Sequence, residues 1–199
     1  MSRTDITHMR HALALGARNL GQTWPNPAVG CVIVSNDHIV GRGWTQAGGA
    51  PHAEAMALAQ AAAQARSATA YVTLEPCAHQ GRTPPCADAL IAAGIARVVM
   101  ACADPDPRTN GKGAARLRDA GVVVEIGVLQ DAARATHAGF MTRLAQGRPM
   151  VTLKLAASLD GRLAPSGGQS QRITGPPARP PRPAHRAPPD PGGPGSVAC

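Results

Sequence analysis

Five short runs rich in valine, isoleucine and alanine, at residues 28–34, 38–44, 70–74, 96–102 and 122–128, alternate with segments whose apolar residues recur every three or four positions. This alternation restricts the chain to an α/β layered sheet, in which helices cover the apolar faces of the strands. A first helix is read over residues 5–20 from Ile6, Met9, Leu13, Ala17 and Leu20. Trp24-Pro25-Asn26-Pro27 is a loop, because two prolines forbid a helix there. Asn36-Asp37 joins the first two strands into a hairpin. A helix over 52–65 follows Pro51, and another over 86–93 follows Pro84-Pro85 and is closed by Gly94. Helices over 113–120 and 130–146 flank the last strand. After Gly147 the pattern restarts with a strand over 150–156 and a turn at Ser158-Leu159-Asp160-Gly161.

Composition narrows the class further. Hydrophobic residues make up 44% of the 199, enough for a sizeable core, yet no apolar run approaches the roughly 20 residues of a membrane span. Residues 1–7 lack the apolar stretch of a secretory signal, so a cytoplasmic protein without membrane partners is expected. The net charge of +8 is carried almost wholly by scattered arginines, lysine occurring only at Lys112 and Lys154. Aromatics are 2%, too few for the stacking platforms of single-strand binders, so no nucleic-acid partner is expected. Five cysteines, an odd count without a signal, point to metal or free thiols rather than disulfides.

Composition then breaks. Of the 24 residues 176–199, nine are Pro, four Ala, three Arg and three Gly, and no periodicity survives. This is either a natural Pro-rich tail or a GC-rich gene read out of frame, and in both cases disorder is expected. The division implied is 1–147 as a first domain, 148–175 as the start of a second, and 176–199 as an aberrant tail.

The chemistry concentrates in three places. His52-Ala53-Glu54 opens a helix, Pro76-Cys77 follows a strand, and Cys86 opens the next helix. One imidazole and two thiolates are three zinc ligands with a fourth position left for water, the pattern of catalytic zinc sites. Helix starts aim His52 and Cys86 end-on and favour thiolates. Glu54 lies about 200° from His52 around an ideal helix, so it joins the site only if the metal sits off the helix tip. A carboxylate so placed, not ligating, can take a proton from an attacking water and return it to substrate. The ordered set His-x-Glu, then Pro-Cys, then Cys is the signature of zinc nucleobase deaminases. Cys31 and Cys102 lie in apolar strands and read as core thiols. Eight residues separate Cys77 from Cys86, and Arg82 among them is placed to clamp a phosphate.

With these residues in hand, the chain resembles the bifunctional riboflavin-biosynthesis deaminase-reductase family. The resemblance is carried by Asn26-Pro27-Ala28-Val29-Gly30, Pro51-His52-Ala53-Glu54, the run Thr73 to Cys86 with its long intercysteine loop, and Asp104-Pro105-Asp106-Pro107. It runs from the first helix to about Gly175. It implies a three-layer α/β/α cytidine-deaminase-like domain that hydrolyses the 2-amino group of 2,5-diamino-6-ribosylamino-4(3H)-pyrimidinone 5′-phosphate. It implies Zn2+ on His52, Cys77 and Cys86, with Glu54 as proton shuttle. Asn26, His79, Arg82, Asp104 and Asp106 are then substrate contacts, to a small phosphorylated pyrimidine. Thr45 stands where many members have His. The segment from Thr152 to Gly161 resembles the start of the family's NADPH-dependent reductase, Ala156 falling at a cofactor contact and Ser170 at a substrate contact. Arg172 stands where many members have Trp. The resemblance stops beyond Gly175, so a truncated reductase stub and a chain that deaminates without reducing are expected. Full-length relatives are commonly oligomeric, which makes a homo-oligomer a further expectation. The alternatives are a deaminase of other nucleotides or of tRNA adenosine, or an inactive zinc-binding remnant of a frameshifted gene.

Overall fold

The computed structural model describes residues 2–81 and 84–153. Helix α1 (Arg3–Gly16) leads through a 3-10 turn (Ala17–Asn19) to the hairpin β1 (Gly30–Ser35) and β2 (His38–Trp44). Then follow α2 (Ala53–Ala61), β3 (Thr69–Val72), α3 (Cys86–Ala92), β4 (Arg97–Met100), α4 (Lys112–Asp119), β5 (Val123–Ile126), α5 (Gln130–Thr136) and α6 (Ala138–Gln146). The strands form one sheet in the order β2-β1-β3-β4-β5. β1 is antiparallel to both β2 and β3, whereas β3, β4 and β5 run parallel. α1 packs on β1, β2 and β3 and touches α5, while α2, α3 and α4 pack in series on the other side. The result is the three-layer α/β/α architecture, with Val32, Ile33, Val72, Val98 and Val99 buried at its centre.

Local chemistry accounts for the boundaries. α1 begins earlier than its apolar spacing suggests, because Ser2 caps it: Ser2 Oγ accepts from Asp5 N, and Asp5 Oδ2 accepts from Ser2 N. Asp5 also accepts from Tyr71 Oη and Arg97 Nη1, both at 2.9 Å, fastening α1 to β3 and β4. The hairpin turns on Asn36 and Asp37 at φ 47° and 61°, the left-handed pair that a two-residue loop requires. Gly43 in β2 lets α2 begin in contact with the sheet: a Cβ there would lie 2.0 Å from Ala53 O.

Two expectations need correction. The helix read over 130–146 is two helices, α5 and α6, meeting at His137 (φ −90°, ψ 7°). His137 is buried, its Nε2 lies 3.3 Å from Thr73 Oγ1, and burial lowers it to about 4, so it stays neutral inside the fold. The turn of the backbone there aims a polar ring inward that a straight amphipathic helix would not place. The strand read over 150–156 is also absent where described: residues 150–153 lie in no strand, and Val151 and Leu153 are 81% and 77% exposed. An apolar β-prone run becomes a strand only with a neighbour to pair with, and residues 150–153 have none among the described residues. Residues 154–199, with Ala156, Ser170 and the Pro-rich segment, lie outside the described residues.

Candidate metal centre and active site

Ligands in open α/β sheets bind beyond the carboxyl ends of parallel strands, and the chemistry-bearing residues gather there. The segment leaving β3 carries Glu75 and Cys77, the segment leaving β4 carries Asp104 and Asp106, and the starts of α2 and α3 bring His52, Glu54 and Cys86. His52 Nδ1 lies 3.3 Å from Cys86 Sγ and 3.8 Å from Cys77 Sγ. One ligating atom from each of the three residues falls within 4.8 Å of the others. Cys86 N donates to Cys77 Sγ at 3.3 Å, so the first turn of α3 stabilises the Cys77 thiolate. The hydrogen bond between the two thiol groups, aided by those from His52 and from Cys86 N, draws Cys77 well below the usual thiol range, while the same bond and burial push Cys86 far up. Without a cation the two sulfurs share one negative charge. A divalent ion among them would let both ionise, and this soft sulfur-and-imidazole set with room for a fourth ligand is what zinc takes.

Glu54 is buried in the same cavity, and burial with the Cys77 charge raises it to about 7. The carboxyl group joins the site because His52 is the N-cap of α2 rather than part of its barrel. Asn26 Nδ2 donates to Gly49 O at 2.8 Å and lies 3.3 Å from His52 Nε2. His79 Nδ1 is 3.4 Å from Thr109 Oγ1. The cavity encloses about 450 Å³, within the range of small-molecule sites, and is lined by Asn26, His52, Glu54, Cys77, His79, Asp104 and Asp106 among others. The structure therefore brings together every expected site residue among the described ones, and Arg82 lies outside them. The two aspartates differ in state. Burial lifts Asp104 to about 6, whereas the guanidinium of Arg108, donating Nε to Oδ1 at 3.0 Å, holds Asp106 near 2. Thr45 also lines the cavity, its Oγ1 accepting from Val29 N at 3.0 Å. Cys31 and Cys102 are buried core thiols, and burial raises Cys102 to about 11.

A larger cavity of about 650 Å³ opens among Asp5, Ser35, Arg66 and Arg97, and no cysteine or histidine lines it. It holds none of the residues of the metal centre.

Glu75, which falls within the run Thr73 to Cys86, also lines the site, as do Arg108, Phe140 and Arg143, and the sequence assigns none of the four a role there. Glu75 is buried, its Oε2 accepting from Gly111 N at 3.0 Å and Asp104 N at 3.3 Å, its Oε1 from Ala114 N at 3.0 Å. It thus ties the Cys77 loop to the Asp104 loop and caps α4. The signal was a missing one: α4 starts at Gly111-Lys112-Gly113 with no side-chain cap of its own, so its orphan N–H groups need an acceptor from elsewhere. Gly113 is small for the same reason, since a Cβ would lie 2.1 Å from Pro76 O. Glu75→Ala is expected to cost about 3 kcal/mol or more of unfolding free energy in a denaturant titration, because three N–H groups lose their partner at roughly 1–3 kcal/mol each. Glu75→Gln, which keeps an acceptor oxygen, should cost less. Equal stability of the alanine variant and the native chain would contradict this tether.

A three-layer sheet with a His-Cys-Cys centre and a buried, non-ligating carboxyl group defines a zinc-dependent hydrolase of the deaminase class. The chain belongs to the cytidine and deoxycytidylate deaminase family, whose zinc-binding region matches residues 2–102. It is 53% identical over 178 residues to riboflavin biosynthesis protein RibD of Haemophilus influenzae, covering 89% of this chain and 48% of the relative. Among solved structures it is similar to Acinetobacter baumannii RibD (52% identity, TM-score 0.78, covering 89% of this chain and 50% of that one). A deaminase/reductase from Thermotoga maritima aligns at 40% identity and TM-score 0.81, covering 86% and 50%. The chain thus spans about half the length of the curated relatives it matches. No helix among the described residues is long and apolar enough to cross a membrane.

Proposed function

We propose that this chain is the hydrolytic deaminase of riboflavin biosynthesis. It converts 2,5-diamino-6-ribosylamino-4(3H)-pyrimidinone 5′-phosphate to 5-amino-6-(5-phosphoribosylamino)uracil and ammonia, in the cytoplasm. The observation that carries the reading is the joint one: His52, Cys77 and Cys86 converge beside buried Glu54, in a chain about half identical to RibD proteins over nearly 90% of its length.

His52, Cys77 and Cys86 would hold the zinc. When bound there, zinc supplies the Lewis acidity that makes water nucleophilic near neutral pH. Water oxygen bonds to the ring carbon bearing the 2-amino group, that C–N bond breaks, and the nitrogen leaves as ammonia, with no change of oxidation state. Glu54 accepts a proton from the water and passes it to the adjacent ring nitrogen, then takes the remaining hydroxyl proton and passes it to the leaving amine. Asn26, anchored on Gly49 O, His79 and the Asp104–Asp106 loop orient the pyrimidine and its sugar.

Arg82 is assigned to the 5′-phosphate. Arg82→Ala should lower kcat/KM for the phosphorylated substrate about 10- to 100-fold, the worth of a charge-assisted bond, and spare its dephosphorylated form. Equal loss on both, in an ammonia-release assay, would mean that Arg82 is structural or reads the base.

A further inference from the structure

Helix α6 contributes Phe140 and Arg143 to the lining of the cavity. The Arg143 guanidinium lies 4.8 Å from the Trp24 ring centroid and 5.6 Å from that of Phe140. Its Nη2 donates to Pro25 O at 3.1 Å. Pro25 directly precedes Asn26, whose amide touches the ring of the metal ligand His52. A cation is therefore fastened one residue from a side chain that meets the metal centre, within cation–π reach of two aromatic rings.

The electrostatic setting gives that cation a purpose. Glu54, Glu75, Asp104 and Asp106 line the same cavity along with Cys77, an acidic environment for a phosphorylated substrate. Arg108, the other arginine in the lining, is forked onto Asp106 and already neutralised. Arg143 has no carboxylate partner among the described residues. One of its five N–H donors is occupied by Pro25 O, and the rest of a rigid fork suited to phosphate remains. Trp24, 58% exposed, places this assembly at the rim rather than the floor.

We propose that Arg143, gripped by Trp24 and Phe140, is a specificity residue that holds the anionic phosphoribosyl end of the substrate. It rests on the substrate assigned above. The guanidinium is already bonded to Pro25 O and packed near Trp24 before substrate arrives, so less ordering is left to do on binding.

The test compares the zinc-loaded native chain with Arg143→Gln and Arg143→Lys on the phosphorylated substrate and its dephosphorylated form, following ammonia release and metal content. Arg143→Gln should raise KM for the phosphorylated substrate about 10- to 100-fold, with kcat and zinc content much less affected. The dephosphorylated form should change far less, and Arg143→Lys should recover part of the loss through its charge. The KM of the native chain should also rise more steeply with ionic strength than that of Arg143→Gln. Equal losses on both substrates would overturn the assignment in favour of a prop for the Pro25–Asn26 loop, and so would no loss at all. If Arg143→Gln fails to fold, Arg143→Lys carries the comparison, since it keeps the charge but not the fork. A native chain that deaminates neither compound overturns the substrate reading and this assignment with it. An active native chain with unchanged variants overturns the assignment alone.

Discussion

Glu54→Gln is expected to fold and keep its zinc while losing deamination by about four orders of magnitude. General acid–base catalysis by one positioned group is typically worth 10² to 10⁴, and here one carboxyl group serves the water, the ring nitrogen and the leaving amine in turn. The geometry leaves no evident substitute: Glu54 is buried in the cavity beside His52 and Cys77, and it belongs to the first turn of a helix whose cap is itself a ligand. Burial lifts it to about 7 in the metal-free site, and a cation held by the triad would draw it back down, into the range where it can take a proton from water and still return it. Glutamine matches the shape and cannot carry the proton. Ammonia release and metal content measured on one preparation decide the matter. Activity within tenfold of the native chain would contradict the role given to Glu54.

Cys77→Ser and Cys86→Ser should each lose zinc outright. A hydroxyl at either position is a poor ligand, and the remaining pair cannot hold the ion against competition. The loss should exceed the 10- to 100-fold in affinity that disturbing the supporting shell of such sites costs. The centre also joins three parts of the fold, the start of α2, the segment leaving β3 and the start of α3. Zinc that binds only the folded chain stabilises it by about 4 kcal/mol at a thousand times its dissociation constant. Chelation should therefore lower the melting temperature of the native chain and leave both variants unmoved. Full zinc retention in both variants would dismiss the metal centre.

The parts legible in the sequence are those with a local cause. β2 runs from His38 to Trp44 as read, because the Asn36-Asp37 turn fixes where it starts. The start of α3 at Cys86 follows from Pro84-Pro85, and the metal triad follows from residue types with few other uses in that order. What escaped depends on partners distant in the chain. The role of Glu75 is set by α4, which begins 37 residues later without a side-chain cap of its own. His137 broke a helix in favour of Thr73, 64 residues away, and Arg143 found Pro25 across 118. No local spacing encodes such pairs.

The central claim is met most directly by incubating the zinc-loaded chain with 2,5-diamino-6-ribosylamino-4(3H)-pyrimidinone 5′-phosphate and measuring ammonia against the uracil product, with free nucleotides and adenosine-containing tRNA alongside. The account predicts equimolar ammonia and 5-amino-6-(5-phosphoribosylamino)uracil from the first compound, abolished by chelation and restored by zinc. Faster ammonia release from cytidine nucleotides or from tRNA, or none from the phosphoribosylamino pyrimidine, would contradict it.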